Sequence, residues 1–231
     1  MILCYSGASA PSAHEIAEYD SDIVVHRRGH GDINWGRANA DTGLNPDTSN
    51  VTNKRVMREL FASHDVPMPR LMTVGEALEP TQFPIVGRPD RHTKGRGFWL
   101  CRNPQDVRRA LRGTRRKRAA THFMEFVEAP REYRVHIFLG KSIRISEKLF
   151  GRTGATARGD YITGKPEHNI KHVRKAAKKA VEAVGLDFGA VDILADDTTC
   201  WVLEVNSAPS LGGSMPRLYA EKFRAWFEGE L

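Results

Sequence analysis

No stretch of this chain approaches the about 18 to 20 consecutive apolar residues that a membrane-spanning helix needs. The first ten residues, MILCYSGASA, carry no basic start and only a brief apolar stretch, so they do not read as a secretory signal. Both absences predict a cytoplasmic protein with no membrane partner. Cysteine is scarce: Cys4, Cys101 and Cys200 are odd in number, far apart and in apolar surroundings. That excludes metal-ligand spacing and predicts buried thiols in a reducing compartment. There is no internal repeat and no low-complexity segment. The strand–helix–strand pattern near the N-terminus contains no glycine fingerprint for a dinucleotide, and HTKGRGF (92–98) lacks the Gly-Lys-Ser/Thr ending of a Walker loop.

What is present suits an enzyme. The 231 residues are 40% hydrophobic and 27% charged, enough for one compact domain or for two or three small lobes sharing a site. The net charge of +7 favours polyanionic partners or acidic substrates. Much of the excess lies in RRALRGTRRKR (108–118) and KHVRKAAKKA (171–180). The second run places its charges largely opposite an apolar stripe and reads as a solvated helix face. The first is denser and suits an acidic protein or nucleic-acid partner, although no stacking aromatics are interleaved with it.

Short strands alternating with helices predict an α/β (α+β) fold. MILCYS and DIVVHR read as strands flanking a helix over PSAHEIAEY. GHGDINWGRANADTGLNPDTSN (29–50) reads as loop. Asn50 or Thr52 is the expected cap of a helix over VTNKRVMRELFASH, with Val56, Leu60 and Phe61 as its apolar stripe. FPIVGRP and FWLC read as strands, and NPQDVRRALRG as a helix opened by an Asn cap and a proline. REYRVHIFLGKSIRISEKLF reads as a hairpin about a tight Gly140-Lys141 turn. Residues 151–169 read as flexible. IKHVRKAAKKAVEAVGL reads as an amphipathic helix ended by Gly185, FGAVDILADDTTCWVLEVN as a hairpin, and MPRLYAEKFRAWFEGEL as a closing helix.

The chemistry gathers at WVLEVNSAPS (201–210). Glu204 and Asn206 are i and i+2 on a strand, so they share a face. Asp192 interrupts the preceding apolar strand, where an unpaired acid is costly. A two- or four-residue loop would set Asp192 opposite Leu203. A three-residue loop, Asp197 to Thr199, would set it opposite Glu204 and bring three oxygen-bearing side chains onto one face. That arrangement predicts the three-residue loop and a hard-cation site of the Mg²⁺ type. The same pattern also suits a strand edge whose acids pair with nearby Arg or Lys.

With these motifs in order, the chain from about Asn50 to Leu211 resembles the ATP-grasp superfamily, and within it the carboxylate–amine ligases such as the D-alanine ligases and the ribosomal-protein glutamate ligases. The clearest piece is GLDFGAVDIL…WVLEVNSAPSL. The resemblance implies two α/β lobes that grip ATP, a central lobe over 51–124 and a C-terminal lobe over 125–231, preceded by a short α/β portion over 1–50. It implies that Asp192, Glu204 and Asn206 hold Mg²⁺, in the family two ions, with Mn²⁺ as a substitute. It implies phosphate contacts from Lys54, from Arg88 (where the family has lysine), and from Lys148. Lys94, Gly95 and Gly97 match a glycine-rich lid over the phosphates. Glu125 opens the segment joining the lobes, in which backbone groups near Phe126 and Val127 read the adenine edge, and Glu132 matches the ribose position. A hairpin turn remains the plain alternative for the glycines, and surface ion pairs for Glu125 and Glu132.

The implied reaction phosphorylates a carboxylate with ATP; an amine then attacks the acylphosphate. The second step needs a cation near the developing oxyanion. D-Alanine ligases carry an arginine two residues before the metal aspartate, and Ala190 stands there in this chain. Arg134 and Arg144 are the candidates for that charge, or one of them pairs with Asp192 or Glu204. Ser210 replaces the family's usual glycine after the proline. These departures keep two other classes open: a kinase that leaves phosphate on its acceptor, and a nucleic-acid-binding module that has lost catalysis.

Overall fold

The computed structural model describes residues 1–27, 30–79, 83–90, 97–149, 160–162 and 170–231. The chain opens with strand β1 (Ile2–Tyr5), a 3-10 turn at Gly7–Ser9, helix α1 (Ala10–Ala17) and strand β2 (Val24–His26). β1 pairs parallel with β2 on one side and with β3 (Ile33–Trp35) on the other. Strand β3 corrects the reading of residues 29–50 as loop. It is three residues long and buried throughout, so it has no alternation to display, and turn-forming residues surround it.

The next segment is also shorter-stepped than its sequence suggests. Helix α2 (Ser49–Thr52) stops at Asn53, and α3 (Lys54–Ser63) starts after it. Asn53, rather than Asn50 or Thr52, is the cap of α3: its backbone is extended and its side chain accepts from the Arg55 N–H at 3.1 Å. The buried face of α3 is Met57 and Phe61, together with Lys54 and Arg58, so Met57 takes the place expected of Val56. Strand β4 (Leu71–Met72), helix α4 (Val74–Ala77), strands β5 (Ile85–Arg88) and β6 (Trp99–Cys101), helix α5 (Pro104–Arg112) and strand β7 (His122–Glu125) follow. They build an antiparallel sheet in the order β4-β7-β5-β6. The Asn103 cap of α5 is as expected, accepting from the Asp106 N–H at 2.9 Å.

The largest sheet has the order β10-β9-β8-β11-β12, with every pair antiparallel. Its strands are β8 (Arg131–Phe138), β9 (Lys141–Leu149), β10 (Asp160–Ile162), β11 (Phe188–Ala195) and β12 (Cys200–Asn206). Apart from β10, the stretch expected to be flexible over 151–169 lies outside the described residues. The β8–β9 turn is Leu139-Gly140, not Gly140-Lys141. Both residues have positive φ, 45° and 70°, the twist a two-residue hairpin needs. Ile143 is an extra residue in β9, between Arg144 opposite His136 and Ser142 opposite Ile137.

The β11–β12 hairpin corrects the expected three-residue loop. Its turn has four residues, 196–199, because Asp196 closes it by accepting from the N–H groups of Thr198 and Thr199 at 2.8 and 2.6 Å. Ala195 then faces Cys200, and Ile193 faces Val202. A regular ladder from that turn would set Asp192 against Leu203. A β-bulge at Leu203 absorbs one residue, and Asp192 faces Glu204 after all.

Two faces of this sheet are covered. On one, helix α6 (Lys171–Ala183) lays Val173, Ala177 and Val181 on Val135, Ile137, Val191, Ile193, Val202 and Val205, with Met57 and Phe61 of α3 closing the margin. Gly185, at φ 73°, ends that helix where the sequence places it. Toward the other side, Phe138 and Phe188 join Trp35, Leu3 and Ile16 of the N-terminal unit and Tyr219 and Phe223 of helix α7 (Met215–Phe227) in one cluster. Asn45 fastens this junction. Fully buried at φ 51°, it donates from Nδ2 to the Phe188 carbonyl at 2.9 Å, and its Oδ1 accepts from the Asp187 N–H at 2.7 Å and the Phe188 N–H at 3.2 Å. The N-terminal unit is thereby fixed to the first residues of β11, the strand that carries Asp192.

Candidate active site

Because side chains alternate along a strand, residues two apart on β8, β9, β11 and β12 share a face, and pairing aligns them in rows. One row reads Ser146, Arg134, Asp192, Glu204. The next reads Arg144, His136, Ala190, Asn206. Asp192, Glu204 and Asn206 therefore come together on two neighbouring strands, and Arg134 and Arg144 stand in the same two rows.

Each acid in the first row has a cation. Arg134 forks Asp192, with Nε to Oδ1 at 2.7 Å and Nη2 to Oδ2 at 2.9 Å. Lys54, buried at the start of α3, places Nζ 3.2 Å from Glu204 Oε2. Asn206 donates from Nδ2 to Glu204 Oε1 at 3.3 Å, which turns its Oδ1 the other way. In the next row, Arg144 donates from Nη2 to Ser214 Oγ at 3.2 Å, while its Nε is buried with no hydrogen-bond partner among the described residues. Further along the face, Lys148 Nζ lies 2.9 and 3.0 Å from the two oxygens of Glu132. The position matched to ribose and the one matched to phosphate are thus partners here.

Sequence reasoning named Arg88 but missed three buried basic side chains, Arg58, His122 and His136. Arg58 is one helical turn from Lys54, the i, i+4 spacing that could have flagged it. Its burial, and after that the Arg88 charge, push its pKa down to about 10, with Glu204 and Asp90 opposing. Arg88 is lowered as well, chiefly by burial, and its guanidinium lies 5.6 Å from the centre of the Phe98 ring. His122, opposite Arg88 in the β5–β7 ladder, holds Asp90 Oδ1 at 3.1 Å through Nδ1. Burial and then the Arg58 charge hold its pKa down at about 4, although Asp90 pulls the other way. His136 is more deeply buried, with Nδ1 3.0 Å from the Tyr219 hydroxyl. Burial first, then Arg134 and Arg144, bring its pKa down to about 3. A histidine between two arginines is therefore neutral.

The remaining expected positions are more dispersed. Glu125 turns its carboxylate to the sheet edge, accepting from the Arg70 N–H at 3.0 Å. Phe126 and Val127 follow it, half-buried, in the extended link from β7 to β8. Gly97 has φ 80°, and a Cβ there would stand 2.7 Å from the Pro89 ring, so glycine is required. Lys94 and Gly95 lie outside the described residues. Val107 and Ala110 are the buried side of α5; in the basic segment 108–118, Lys117 Nζ sits 4.1 Å over the Trp99 ring.

The donor set suits a hard cation: two carboxylates and an amide oxygen. Among the described residues no group of three or more His, Cys, Asp or Glu is placed to hold a metal ion by itself, so a cation here would take its other ligands from phosphate oxygens and water.

The same fold occurs in solved structures. D-alanine–D-alanine ligase from Bacillus anthracis superposes with a TM-score of 0.70 at 13% identity, covering 100% of this chain and 99% of that one. The ATP-grasp ligase PsnB complexed with a minimal precursor gives 0.69 at 13% identity, over 97% and 98% of the two chains. In sequence, a probable alpha-L-glutamate ligase from Haemophilus influenzae (strain PittEE) is 23% identical over 171 residues, 70% of this chain and 57% of the relative. This chain thus spans little more than half the length of that relative. The family model of the RimK-like ATP-grasp domain matches residues 71–219, which hold every expected site residue except Lys54. With that span covering more than half of the chain, and the fold shared along its whole length, the protein belongs to the RimK-like ATP-grasp family.

Proposed function

We propose that this protein is an ATP-dependent carboxylate–amine ligase that works through an acylphosphate and releases ADP. The observation that carries the reading is the row Arg134–Asp192–Glu204, closed by Lys54: two adjacent carboxylates, each balanced by a cation that a charged substrate can draw away. Asp192, Glu204 and Asn206 hold magnesium, probed equally by manganese. When bound, the metal neutralises phosphate charge during transfer. Lys54, Arg88 and Lys148 contact the phosphates, with Lys94, Gly95 and Gly97 above them. Glu132 accepts from the ribose hydroxyls, and the backbone at Phe126 and Val127, beyond Glu125, meets the adenine. In this reading Lys54 and Lys148 exchange their carboxylates for phosphate when ATP enters.

The chemistry then needs two steps. A substrate carboxylate oxygen attacks the γ-phosphorus, and the bond to ADP breaks. An amine nitrogen attacks the acyl carbon, the carbon–oxygen bond to phosphate breaks, and the amine gives up a proton. Charge builds on the acyl oxygen in the second step. Arg134 and Arg144 are the cations for it. The place of Arg144 in the same row as Ala190, where the arginine is missing, supports that assignment.

The lobes at 51–124 and 125–231 form the two sides of the nucleotide cleft, with the 1–50 portion beside them. A cytoplasmic setting belongs to the same proposal, supported by three free, buried cysteines; among the described residues no helix is long and apolar enough to cross a membrane. An acidic partner for the exposed arginines of 108–118 is a separate proposal, supported by charge alone.

The test is ADP release with ATP and Mg²⁺ across amino acids, polyamines and peptides, with product analysis. An amide plus free phosphate is expected, and its loss in Glu204→Gln. A stable phosphoester would make the protein a kinase. Undiminished ADP release by Glu204→Gln would overturn the metal assignment.

A further inference from the structure

The whole net charge of the chain sits in one short segment. Residues 102–118 hold eight basic side chains against one acid, a balance of +7, which is the net charge of the entire protein. With 35 basic and 28 acidic residues in all, the rest of the chain carries 27 of each sign. The one acid, Asp106, is used locally: its Oδ2 accepts from the Arg102 N–H at 2.9 Å. Arg102, Arg108, Arg109, Arg112, Arg115 and Arg116 are exposed, and none has an ion pair or a side-chain hydrogen bond among the described residues.

Their mount is rigid. Val107 and Ala110 are the buried side of α5, and helical spacing turns Arg108, Arg109 and Arg112 to the other side. Gly113 ends the helix at φ 68°, and a Cβ there would stand 2.7 Å from the Ala119 nitrogen. The Ala120 N–H donates to the Ala110 carbonyl at 2.8 Å, so the chain returns to the helix it left. Between these points Thr114 and Lys117 exchange both backbone hydrogen bonds, at 2.8 and 3.1 Å. That places Arg115 and Arg116 at the tip of a two-residue turn. Trp99 anchors its base: Nε1–H donates to the Arg118 carbonyl at 2.9 Å, and Lys117 covers the ring.

This surface is on the far side of its sheet from the nucleotide cleft. On β5 and β7, Val86, Arg88, His122 and Met124 share one face, and Gly87 and Phe123 the other. Arg58 reaches the first face at Met124. Helix α5 covers the second, where Val107 and Ala110 pack with Ile85 and Phe123.

We propose that this surface binds the phosphate backbone of a double-stranded nucleic acid, without regard to sequence. Three other classes of partner fit it less well. A folded protein brings apolar or aromatic anchors to the centre of an interface, and no apolar side chain of 102–118 is exposed to meet them. A single strand needs open rings on which its bases stack, and Trp99 is buried beneath Lys117. A flexible acidic polypeptide loses conformational entropy when it is ordered against an exposed helix face. A duplex is stiff beforehand and presents about one negative charge per 1.7 Å of its axis. Guanidiniums on a fixed backbone meet several phosphates at once as two-pronged donors, and such contacts carry no sequence information. This gives the acidic partner of these arginines a chemical class and stands independently of the ligase reading.

Fluorescence anisotropy on the full chain tests it, with short RNA and DNA duplexes, a thymidine homopolymer strand and poly-L-glutamate as probes of equal charge. At least one duplex should bind with a Kd of about 1 to 100 μM, at least fivefold tighter than the single strand or poly-L-glutamate. Affinity should fall with added salt, with a log–log slope of about 0.9 per phosphate contacted. Arg115→Gln combined with Arg116→Gln should weaken duplex binding at least tenfold and reduce that slope by about 2. Arg108→Gln combined with Arg112→Gln, on the exposed side of α5, should do the same. Affinity for a non-hydrolysable ATP analogue should stay within twofold in both variants, which also shows that they are folded. The two duplexes tell whether RNA or DNA is the partner. No duplex binding, equal or tighter binding of poly-L-glutamate or the single strand, or unchanged duplex affinity in either variant would overturn the proposal. So would a loss of nucleotide affinity in variants that circular dichroism shows to be folded, since it would place these arginines in the cleft. Failure of the native chain to bind the ATP analogue would count against the ligase reading alone.

Discussion

Arg134 and Asp192 face each other across β8 and β11, joined by two parallel hydrogen bonds of 2.7 and 2.9 Å. A fork of this kind fixes both side chains beside Glu204. Lysine cannot reproduce it, since its ammonium is a single point charge on a flexible stem. Arg134→Lys should therefore lower kcat at least tenfold while the KM for ATP changes little. Steady-state ADP release checks this; an unchanged kcat would remove Arg134 from the reaction.

Lys54 competes for Glu204 with any cation that enters. Replacing it by Met, of similar length, removes one competitor and one phosphate contact together. The Mg²⁺ concentration for half-maximal ADP release should fall in Lys54→Met, and kcat should fall more than tenfold. A magnesium titration separates the two effects, and a raised magnesium requirement would contradict the arrangement.

The two buried histidines give the stability a definite pH dependence. Their folded pKa values, about 3 for His136 and about 4 for His122, lie below the ordinary 6.5. As pH falls through the ordinary value the unfolded chain takes up protons that the folded chain refuses, so stability is full above about 6.5 and declines from there toward the folded values. Between pH 7 and pH 5 each should cost on the order of 1 to 2 kcal/mol. Urea unfolding at both pH values measures it. His136→Gln, which keeps a polar group near Tyr219, should flatten the profile by about half.

Asn45→Ala removes three side-chain hydrogen bonds to the start of β11 and leaves buried backbone groups at Asp187 and Phe188 without them. It also puts alanine at φ 51°. A loss of about 2 to 4 kcal/mol is expected from chemical denaturation. Activity should fall with it, because the strand that begins at Phe188 carries Asp192.

The long elements were legible because their signals are local. Helix α6 could be read from its stripe and Gly185, α5 from Asn103 and Pro104, and the β11–β12 hairpin from its alternation. The convergence of Asp192, Glu204 and Asn206 was also legible, but for a mistaken reason: an odd turn was expected, and a bulge does the work. Bulges carry no strong signature, since Leu203 fits a regular strand equally well. Strand β3 was hidden because a short strand buried on both faces has neither alternation nor length. His122 and His136 were invisible as site residues because their meaning comes from burial and from partners far away in the chain. The family match reaches only from residue 71 to 219, so it is silent on the N-terminal unit.

The offset at Leu203 has a practical side. The four-residue turn at 196–199 and the bulge fix the alignment of the acids together, because the turn alone would set Asp192 against Leu203. Removing one residue from that turn while the bulge is kept should therefore slide Asp192 off Glu204 and turn the two acids to opposite faces.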